Sequence, residues 1–229
     1  MKILALGAHP DDIEIFMYGL ISIYKQEGNQ VLTMIATDGS KGGSASDELL
    51  SKKREKEALD GLKNLSKPIF LNIPDGELGE QPNHRKIIKD NILEIMPDLI
   101  ITHSRNDYHS DHKSLSLLTN NAVSHYIPIL YCDTLMGLNF NPNFYFDITD
   151  YCLLKEEAIL KHKTQKPQRF VDLFKLMNSY RAAQCNAPKG RYAEAYSFEP
   201  SFPFTDIRHI LPSPLKLRSF QIENQQGFL

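Results

Sequence analysis

Residues 2–14, KILALGAHPDDIE, contain the transition that decides the fold. The run up to Ala8 is short, rich in Leu and Ile and bounded by a turn, which is typical of a strand buried on both faces. Ile13, Met17 and Leu20 then recur at helical spacing. The stretch therefore predicts a strand that runs directly into a helix. The turn between them carries one imidazole and three carboxylates, from His9, Asp11, Asp12 and Glu14.

The alternation of strand and helix continues along the chain. The pattern predicts strands over residues 31–37, 69–73, 98–102 and 129–132, and helices over residues 47–65, 85–96 and from Asp111 onward. Strands that alternate with helices are joined by right-handed crossovers into a mainly parallel sheet. We therefore predict an α/β, Rossmann-like fold with helices on both faces of the sheet.

Beyond Asn141 the pattern is less regular. Residues 144–148 are compatible with a further strand, and residues 151–163 and 169–183 with helices. The residues after Pro188 are rich in proline and aromatic side chains, and their pattern assigns them to no element. Neither an internal repeat nor a linker divides the sequence, so we expect one domain over residues 1–229.

Composition excludes several classes of protein. The 229 residues carry 26 basic and 28 acidic side chains, and this balance lacks the excess positive charge that neutralises many phosphates. No stretch approaches the roughly 20 apolar residues that cross a bilayer. Three widely spaced cysteines, and an apolar N-terminal run too short for a signal peptide, favour a reduced, cytoplasmic protein. We expect no nucleic-acid or membrane partner, whereas the sequence leaves homo-oligomer formation open.

A second polar cluster follows the fourth predicted strand, where residues 106–112 read NDYHSDH. In the Rossmann-like strand order 3-2-1-4-5, strands 1 and 4 are neighbours, and the crevice where the order reverses lies beyond their carboxyl ends. The two polar clusters should therefore face each other at this crevice. Together they supply three imidazoles and five carboxylates, from His9, Asp11, Asp12, Glu14, Asp107, His109, Asp111 and His112.

Neither cluster contains a lysine or an arginine. Crowded carboxylates repel one another, and each like-charged pair raises a pKa unless a cation neutralises it. A divalent metal is the simplest such cation. Imidazole and carboxylate ligands without thiolate suit Zn²⁺, Fe²⁺, Mn²⁺ or Co²⁺ better than Mg²⁺. Two His and one Asp leave coordination positions open for water and substrate, which is typical of a catalytic metal site.

Two phosphate-binding motifs are excluded. The turn after the first strand lacks the glycines that let a pyrophosphate approach the backbone, and Asp11 and Asp12 stand where that anion would lie. Residues 37–43, TDGSKGG, are not a P-loop, because no Lys-Ser or Lys-Thr pair follows the second glycine. We interpret them as a flexible lip over the pocket.

The motifs AHPDDIE at residues 8–14 and HSDH at residues 109–112 resemble the two signatures of the PIG-L/LmbE-like N-deacetylases. These are zinc-dependent hydrolases of N-acetylated amino sugars and their conjugates. The pair of motifs is more specific than either motif alone. The resemblance implies that the zinc ligands are His9, Asp12 and His112.

The resemblance also implies catalytic roles. Asp11 would be the general base, His109 would polarise the carbonyl or stabilise the oxyanion in a cationic form, and Asp111 would orient His109. Arg54 resembles a family position near the substrate pocket, where a guanidinium binds a carboxylate, phosphate or hydroxyl. Its neighbours in the sequence include three lysines, which is equally typical of a solvated helix face.

The function implied is removal of the acetyl group from an N-acetylated amino sugar or its glycoside, such as an N-acetylglucosamine conjugate. Zinc-bound water would attack the acetamide, with Asp11 accepting a proton. Zinc lowers the pKa of bound water to about 7, so this chemistry is available at neutral pH. The partner is thus a small-molecule sugar. The sequence does not determine the aglycone, the oligomeric state or whether Fe²⁺, Mn²⁺ or Co²⁺ replaces zinc.

Two other functions stay open from the sequence. A set of two His and one carboxylate also serves non-haem iron oxygenases. A chain with these residues is also compatible with a non-catalytic sugar- or metal-binding module. For single residues, an Asp that precedes a helix is commonly an N-cap, which applies to Asp11, Asp12 and Asp111.

Overall fold

A computed structural model describes residues 1–43 and 47–216 of the chain. Seven strands form one sheet: β1 (Lys2–Gly7), β2 (Gln30–Thr37), β3 (Ile69–Ile73), β4 (Leu99–Thr102), β5 (Ile129–Cys132), β6 (Phe144–Asp147) and β7 (Ala193–Phe198). Their order across the sheet is β3-β2-β1-β4-β5-β7-β6. Strands β1 to β5 run parallel to one another, whereas β7 is antiparallel to both of its neighbours, β5 and β6.

Strand β1 lies between β2 and β4 and is buried on both faces. Ile3 and Ala5 belong to one hydrophobic cluster, and Leu4 and Leu6 belong to another on the opposite face. This arrangement explains why β1 is continuously apolar, since successive side chains of a strand point to opposite faces. The predicted α/β, Rossmann-like fold with a mainly parallel sheet is confirmed.

Seven α-helices cover the two faces: α1 (Asp12–Phe16), α2 (Tyr18–Gln26), α3 (Asp47–Leu62), α4 (His84–Ile95), α5 (Ser110–Val123), α6 (Cys152–Ile159) and α7 (Gln168–Gln184) within the described ranges. Apolar residues of α1, α2, α3, α6 and α7 pack into one cluster, and those of α4 and α5 into the other. The helix predicted after the first strand is thus two helices. They meet at Met17, where φ is −129° and the helical backbone is interrupted.

Strand β7 comes from the region after Pro188 that the sequence pattern left unplaced. Its second residue, Glu194, carries a buried carboxylate, so the strand is not a continuous apolar run and the sequence pattern did not indicate it. The Lys155 ammonium lies 2.7 Å from the Glu194 carboxylate. The same carboxylate accepts the backbone N–H groups of Gly19 and Leu20 at the start of α2. Glu194 therefore ties the late strand to the first part of the chain.

Some sequence predictions lie outside the described residues. They concern Ser44, which the sequence predicts to form a loop together with Gly42 and Gly43, and residues 217–229 of the tail. The single domain over residues 1–229 therefore stays a prediction. Within residues 1–43 and 47–216, none of the helices combines the length and the apolar composition that crossing a membrane requires.

Candidate functional site

The candidate functional site lies beyond the carboxyl ends of β1, β3 and β4. Strand β1 pairs with β4, which brings the loops that follow these two strands together. The turn after β1 is followed by α1, and the loop after β4 leads into α5. The predicted meeting of the two polar clusters is therefore what the structure shows. The loop after β3 adds Asp75, which the sequence analysis did not include.

Asp12 is the centre of the polar cluster. Its Oδ2 accepts the backbone N–H of His9 at 2.7 Å and lies 3.0 Å from Nε2 of His103. Its Oδ1 lies 3.3 Å from Nε2 of His112. Burial raises the pKa of Asp12, but His112, His103 and His9 outweigh burial and hold this pKa well below its usual range. Asp12 is therefore ionised at neutral pH.

Two of the three imidazoles around Asp12, those of His112 and His9, are each oriented by a further carboxylate. Nδ1 of His112 lies 3.0 Å from Asp107 Oδ2, which leaves Nε2 facing Asp12. Nε2 of His9 lies 3.1 Å from Asp111 Oδ2, and its Nδ1 lies 3.3 Å from Asp12. Burial lowers the pKa of His112, but Asp12 and Asp107 outweigh it and raise this pKa to about 9. A carboxylate on the far nitrogen of an imidazole is the usual arrangement around protein metal ligands.

The donor atoms fit a divalent cation. Three groups each place one donor atom per residue within 4.8 Å of the others: His9, His109 and His112; Asp12, His103 and His112; His9, Asp75 and Asp111. Imidazole nitrogen and carboxylate oxygen suit the borderline metals named from the sequence. Each of the predicted ligands His9, Asp12 and His112 belongs to at least one of these groups, but no single group contains all three.

Asp11 stands apart from this donor set although it is adjacent to Asp12. Its φ of 135° lies in a region that side-chain-bearing residues rarely adopt, and such strain is concentrated at functional sites. Among the described residues its carboxylate caps no helix, so the N-cap alternative does not account for it. Burial raises the pKa of Asp11, and the neighbouring Arg54 guanidinium only partly offsets this effect.

Arg54 is buried, so the alternative of a solvated helix face is wrong. It donates from Nη1 to Gly39 O at 2.9 Å and from Nη2 to Pro10 O at 2.9 Å. Its Nη2 also lies 3.2 Å from Asp11 Oδ1. Gly39 has a φ of 65°, and a Cβ there would lie 2.8 Å from the guanidinium. Arg54 thus holds the lip, the first turn and Asp11 together, and it also borders the cavity described below.

His109 is the N-cap of α5, and its Nδ1 accepts the backbone N–H of Asp111 at 3.3 Å. Because Nδ1 accepts, Nε2 carries the proton of the neutral ring. Burial, together with His112 and His9, lowers the pKa of His109. The expected cationic His109 is therefore not the form that this environment favours. The expected contact of Asp111 with the His109 ring also differs, because the Asp111 carboxylate contacts His9 and the Gly76 N–H.

A cavity of about 410 Å³ opens over these residues, a volume within the usual range for small-molecule sites. Its polar wall includes Asp11, Asp12 and Arg54. The lining also includes apolar and aromatic side chains, from Ile15, Phe16, Tyr108, Leu135 and Phe170. The cavity therefore offers both hydrogen-bonding groups and apolar surface to one small ligand.

Glu14, from the first polar cluster, forms a buried pair with His162. Nε2 of His162 lies 2.7 Å from Oε1 of Glu14, and both side chains are almost fully buried. Burial lowers the pKa of His162, but Glu14 outweighs it and raises this pKa. Glu14, which lies in the first turn of α1, therefore pairs with a histidine from the second half of the chain.

His103 and Asp75 belong to the site but were not predicted from the sequence. His103 is the first residue after β4, and Asp75 follows β3 by two residues. Both lie at carboxyl ends of parallel strands, which is the position that could have identified them. His103 precedes the second cluster by three residues, and the stretch around Asp75 has no histidine, so neither residue belongs to a run that combines imidazoles with carboxylates.

Comparison with known proteins identifies similar sequences. The family described as "PIG-L: GlcNAc-PI de-N-acetylase" matches residues 4–123. A diacetylchitobiose deacetylase of Thermococcus kodakarensis is 29% identical over 238 residues, which cover 92% of this chain and 86% of that protein. The family match includes both polar clusters.

Two solved structures share the fold. GalB, the 4-carboxy-2-hydroxymuconate hydratase of Pseudomonas putida KT2440, superposes with a TM-score of 0.75 at 19% identity, covering 86% of this chain and 95% of that one. The N,N′-diacetylchitobiose deacetylase of Pyrococcus horikoshii superposes with a TM-score of 0.73 at 24% identity, covering 87% and 84%. At such identities the likeness concerns the fold, which the hydratase and the deacetylase have in common.

Proposed function

Since this chain belongs to the PIG-L family, we propose that it is a metal-dependent hydrolase that removes the acetyl group from an N-acetylated amino sugar or its glycoside. The observation that carries the proposal is the contrast between two adjacent carboxylates. Asp12 is surrounded by imidazoles that lower its pKa, whereas burial raises the pKa of Asp11 on the same cavity wall. One carboxylate thus suits a metal ligand and the other a proton acceptor.

In this proposal His9, Asp12 and His112 hold the divalent ion, for which zinc is our first expectation. When bound, such an ion lowers the pKa of a water molecule and polarises a carbonyl group. Asp107 orients His112, and Asp111 orients His9, through the contacts of 3.0 and 3.1 Å. The resemblance implied that Asp111 orients His109. In this proposal Asp111 orients the metal ligand His9 instead.

Asp11 is proposed as the general base. A general base works best when its pKa is close to the pH of the reaction, and burial moves the pKa of Asp11 in that direction. The Arg54 contact and the tight first turn hold the carboxylate in place. Asp11 would take a proton from the attacking water and return it to the amine nitrogen as the C–N bond breaks.

His109 is proposed to stabilise the oxyanion as a neutral hydrogen-bond donor. Its Nδ1 is occupied by the Asp111 N–H, so Nε2–H is the group available to the substrate oxygen. The balanced reaction is amide plus water to acetate plus the protonated amine. The proposed substrate class rests on the Thermococcus relative and on the polar and aromatic walls of the cavity. Arg54 borders this cavity and is proposed to contact the substrate there while it holds Asp11.

The test is acetate release from N-acetylglucosamine, N,N′-diacetylchitobiose and N-acetylglucosamine glycosides, combined with elemental analysis of the purified protein. We expect stoichiometric acetate and free amine, with the same rate in air and under nitrogen. Activity that requires oxygen and yields no acetate would favour the iron oxygenase. Addition of water to an unsaturated carboxylic acid without acetate release would favour a hydratase, and tight sugar binding without turnover would favour the binding module.

A further inference from the structure

His103 has a role in neither the sequence analysis nor the mechanism above, yet it is fully buried against the proposed metal ligands. Its ring stacks on that of His112, with centroids 3.7 Å apart and planes inclined by 12°. The ring of Phe16 meets it edge to face at 5.9 Å. Packing therefore fixes the orientation of the His103 ring, and with it the direction of both ring nitrogens.

Nε2 of His103 has two neighbours, one of which requires a hydrogen-bond donor and the other an acceptor. It lies 3.0 Å from Asp12 Oδ2, which needs a donor, and 3.1 Å from the backbone N–H of Ala8, which needs an acceptor. A neutral imidazole nitrogen satisfies one of these demands at a time. A hydrogen bond to a carboxylate is roughly twice as strong as one between neutral groups. The Nε2–H form, which donates to Asp12, is therefore favoured when Asp12 is ionised.

This donation makes the two oxygens of Asp12 different. Oδ2 then accepts two hydrogen bonds, from the His9 N–H at 2.7 Å and from His103. Oδ1 lies instead beside Nε2 of His112. We propose that His103 is a positioning residue that occupies Oδ2 of Asp12 and so directs Oδ1 to the divalent cation. The proposal deepens the proposed function, because it rests on Asp12 being a metal ligand.

A direct ligand role for His103 is the competing assignment, since Asp12, His103 and His112 form one of the three donor groups. The contacts of Nε2 with both Oδ2 and the Ala8 N–H argue against it, because a metal ligand needs its lone pair free. Its other nitrogen, Nδ1, is buried and has no hydrogen-bond partner in the part of the chain that the structure describes. The two roles predict different losses of metal affinity.

The experiment measures zinc affinity by chelator competition on the full chain, with free Zn²⁺ as the probe. His103→Phe keeps an aromatic ring but has no donor, and His103→Gln places an amide N–H near the position of Nε2. We expect His103→Phe to weaken zinc binding about 10–100-fold, the usual effect of losing an outer hydrogen bond to a ligand, and His103→Gln to recover most of it. His112→Ala, which removes a proposed ligand, should lose more than His103→Phe.

The matched control is His84→Phe, the same substitution at a buried histidine that accepts the Gly79 N–H. It should leave zinc affinity unchanged. The melting temperature of each chelator-treated protein reports folding separately from metal binding, and His103→Met serves as a second donor-free variant if His103→Phe does not fold.

Four results would overturn the proposal: wild-type zinc affinity in the donor-free variants, a loss as large as in His112→Ala, no recovery in His103→Gln, or no zinc binding by the wild type. Acetate release by the wild type tests the proposed function separately. Zinc affinities that follow the expected order without acetate release would refute the deacetylase and leave the role of His103 intact.

Discussion

Substitution of the adjacent residues Asp11 and Asp12 by asparagine should have opposite effects on stability. Burial outweighs Arg54 and raises the pKa of Asp11, so the folded protein disfavours its charge. Three imidazoles lower the pKa of Asp12, so the folded protein favours that charge. At pH 7, Asp11→Asn should therefore equal or exceed the wild type in free energy of unfolding, and Asp12→Asn should fall below it.

The sign of each effect sets its pH dependence. A raised pKa in the folded state means that Asp11 destabilises the protein once the pH exceeds the unfolded value near 4, and increasingly so up to the folded pKa. The lowered pKa of Asp12 means that its contribution is present above pH 4 and is lost as the pH falls through the folded pKa. The gain in Asp11→Asn should thus shrink as the pH falls from 7 towards 4.

The effect on catalysis should differ from the effect on stability. A general base typically contributes 10²–10⁴-fold to a rate, so Asp11→Asn should lower kcat/KM by about that factor, or about 3–5 kcal/mol in activation free energy. Its metal content should match that of the wild type, because Asp11 lies outside the proposed ligand set. Asp12→Asn should lose both metal and activity.

The assays are urea denaturation of chelator-treated proteins, elemental analysis and acetate release. Asp11→Asn keeps an amide oxygen where Oδ1 contacts Arg54, so the comparison isolates the charge. An Asp11→Asn protein that is less stable than the wild type at pH 7 would refute the electrostatic argument. Acetate release at the wild-type rate would refute the assignment of the base.

Three further changes test separate parts of the structure. His112→Ala should lower zinc affinity, measured by chelator competition, by more than the 10–100-fold typical of outer hydrogen bonds, and unchanged affinity would exclude His112 as a ligand. His162→Gln should destabilise the chelator-treated protein most below pH 6.5, where the ion pair with Glu14 is fully present. Because folding raises the pKa of His162, this stabilisation is lost as the pH rises through the folded pKa. A difference in free energy of unfolding, measured with urea, that grows with pH would contradict this. Gly61→Ala would place a Cβ 2.5 Å from Oε1 of Glu14. The resulting overpacking should lower the free energy of unfolding by about 1–3 kcal/mol, which exceeds the gain of roughly 0.5–1 kcal/mol from the higher helix propensity of alanine. A raised melting temperature would contradict this packing.

Much of the fold follows from local pattern. The apolar run of β1 and the helical spacing after it predict a buried strand and a covering helix, because side-chain periodicity is a local property. The same holds for β2 to β5. The sequence also predicts that the turn after β1 and residues 106–112 lie close together, because the parallel strand order brings the carboxyl ends of β1 and β4 side by side.

Other features depend on partners that are far apart in the sequence. The buried carboxylate of Glu194 in β7 is stabilised by the Lys155 ammonium and by the backbone N–H of Gly19, which is 175 residues away in the sequence. Arg54 lies among lysines in the sequence, yet the tertiary structure turns it inward to Asp11.

The residues of the candidate site divide in the same way. The sequence by itself determined which polar residues follow β1 and β4, and hence where a cation could bind. Only the tertiary structure decided that His103 contacts Asp12 and that Asp111 orients His9. The physical reason is that a hydrogen bond depends on distance and direction between two groups, and packing sets both for groups about 100 residues apart.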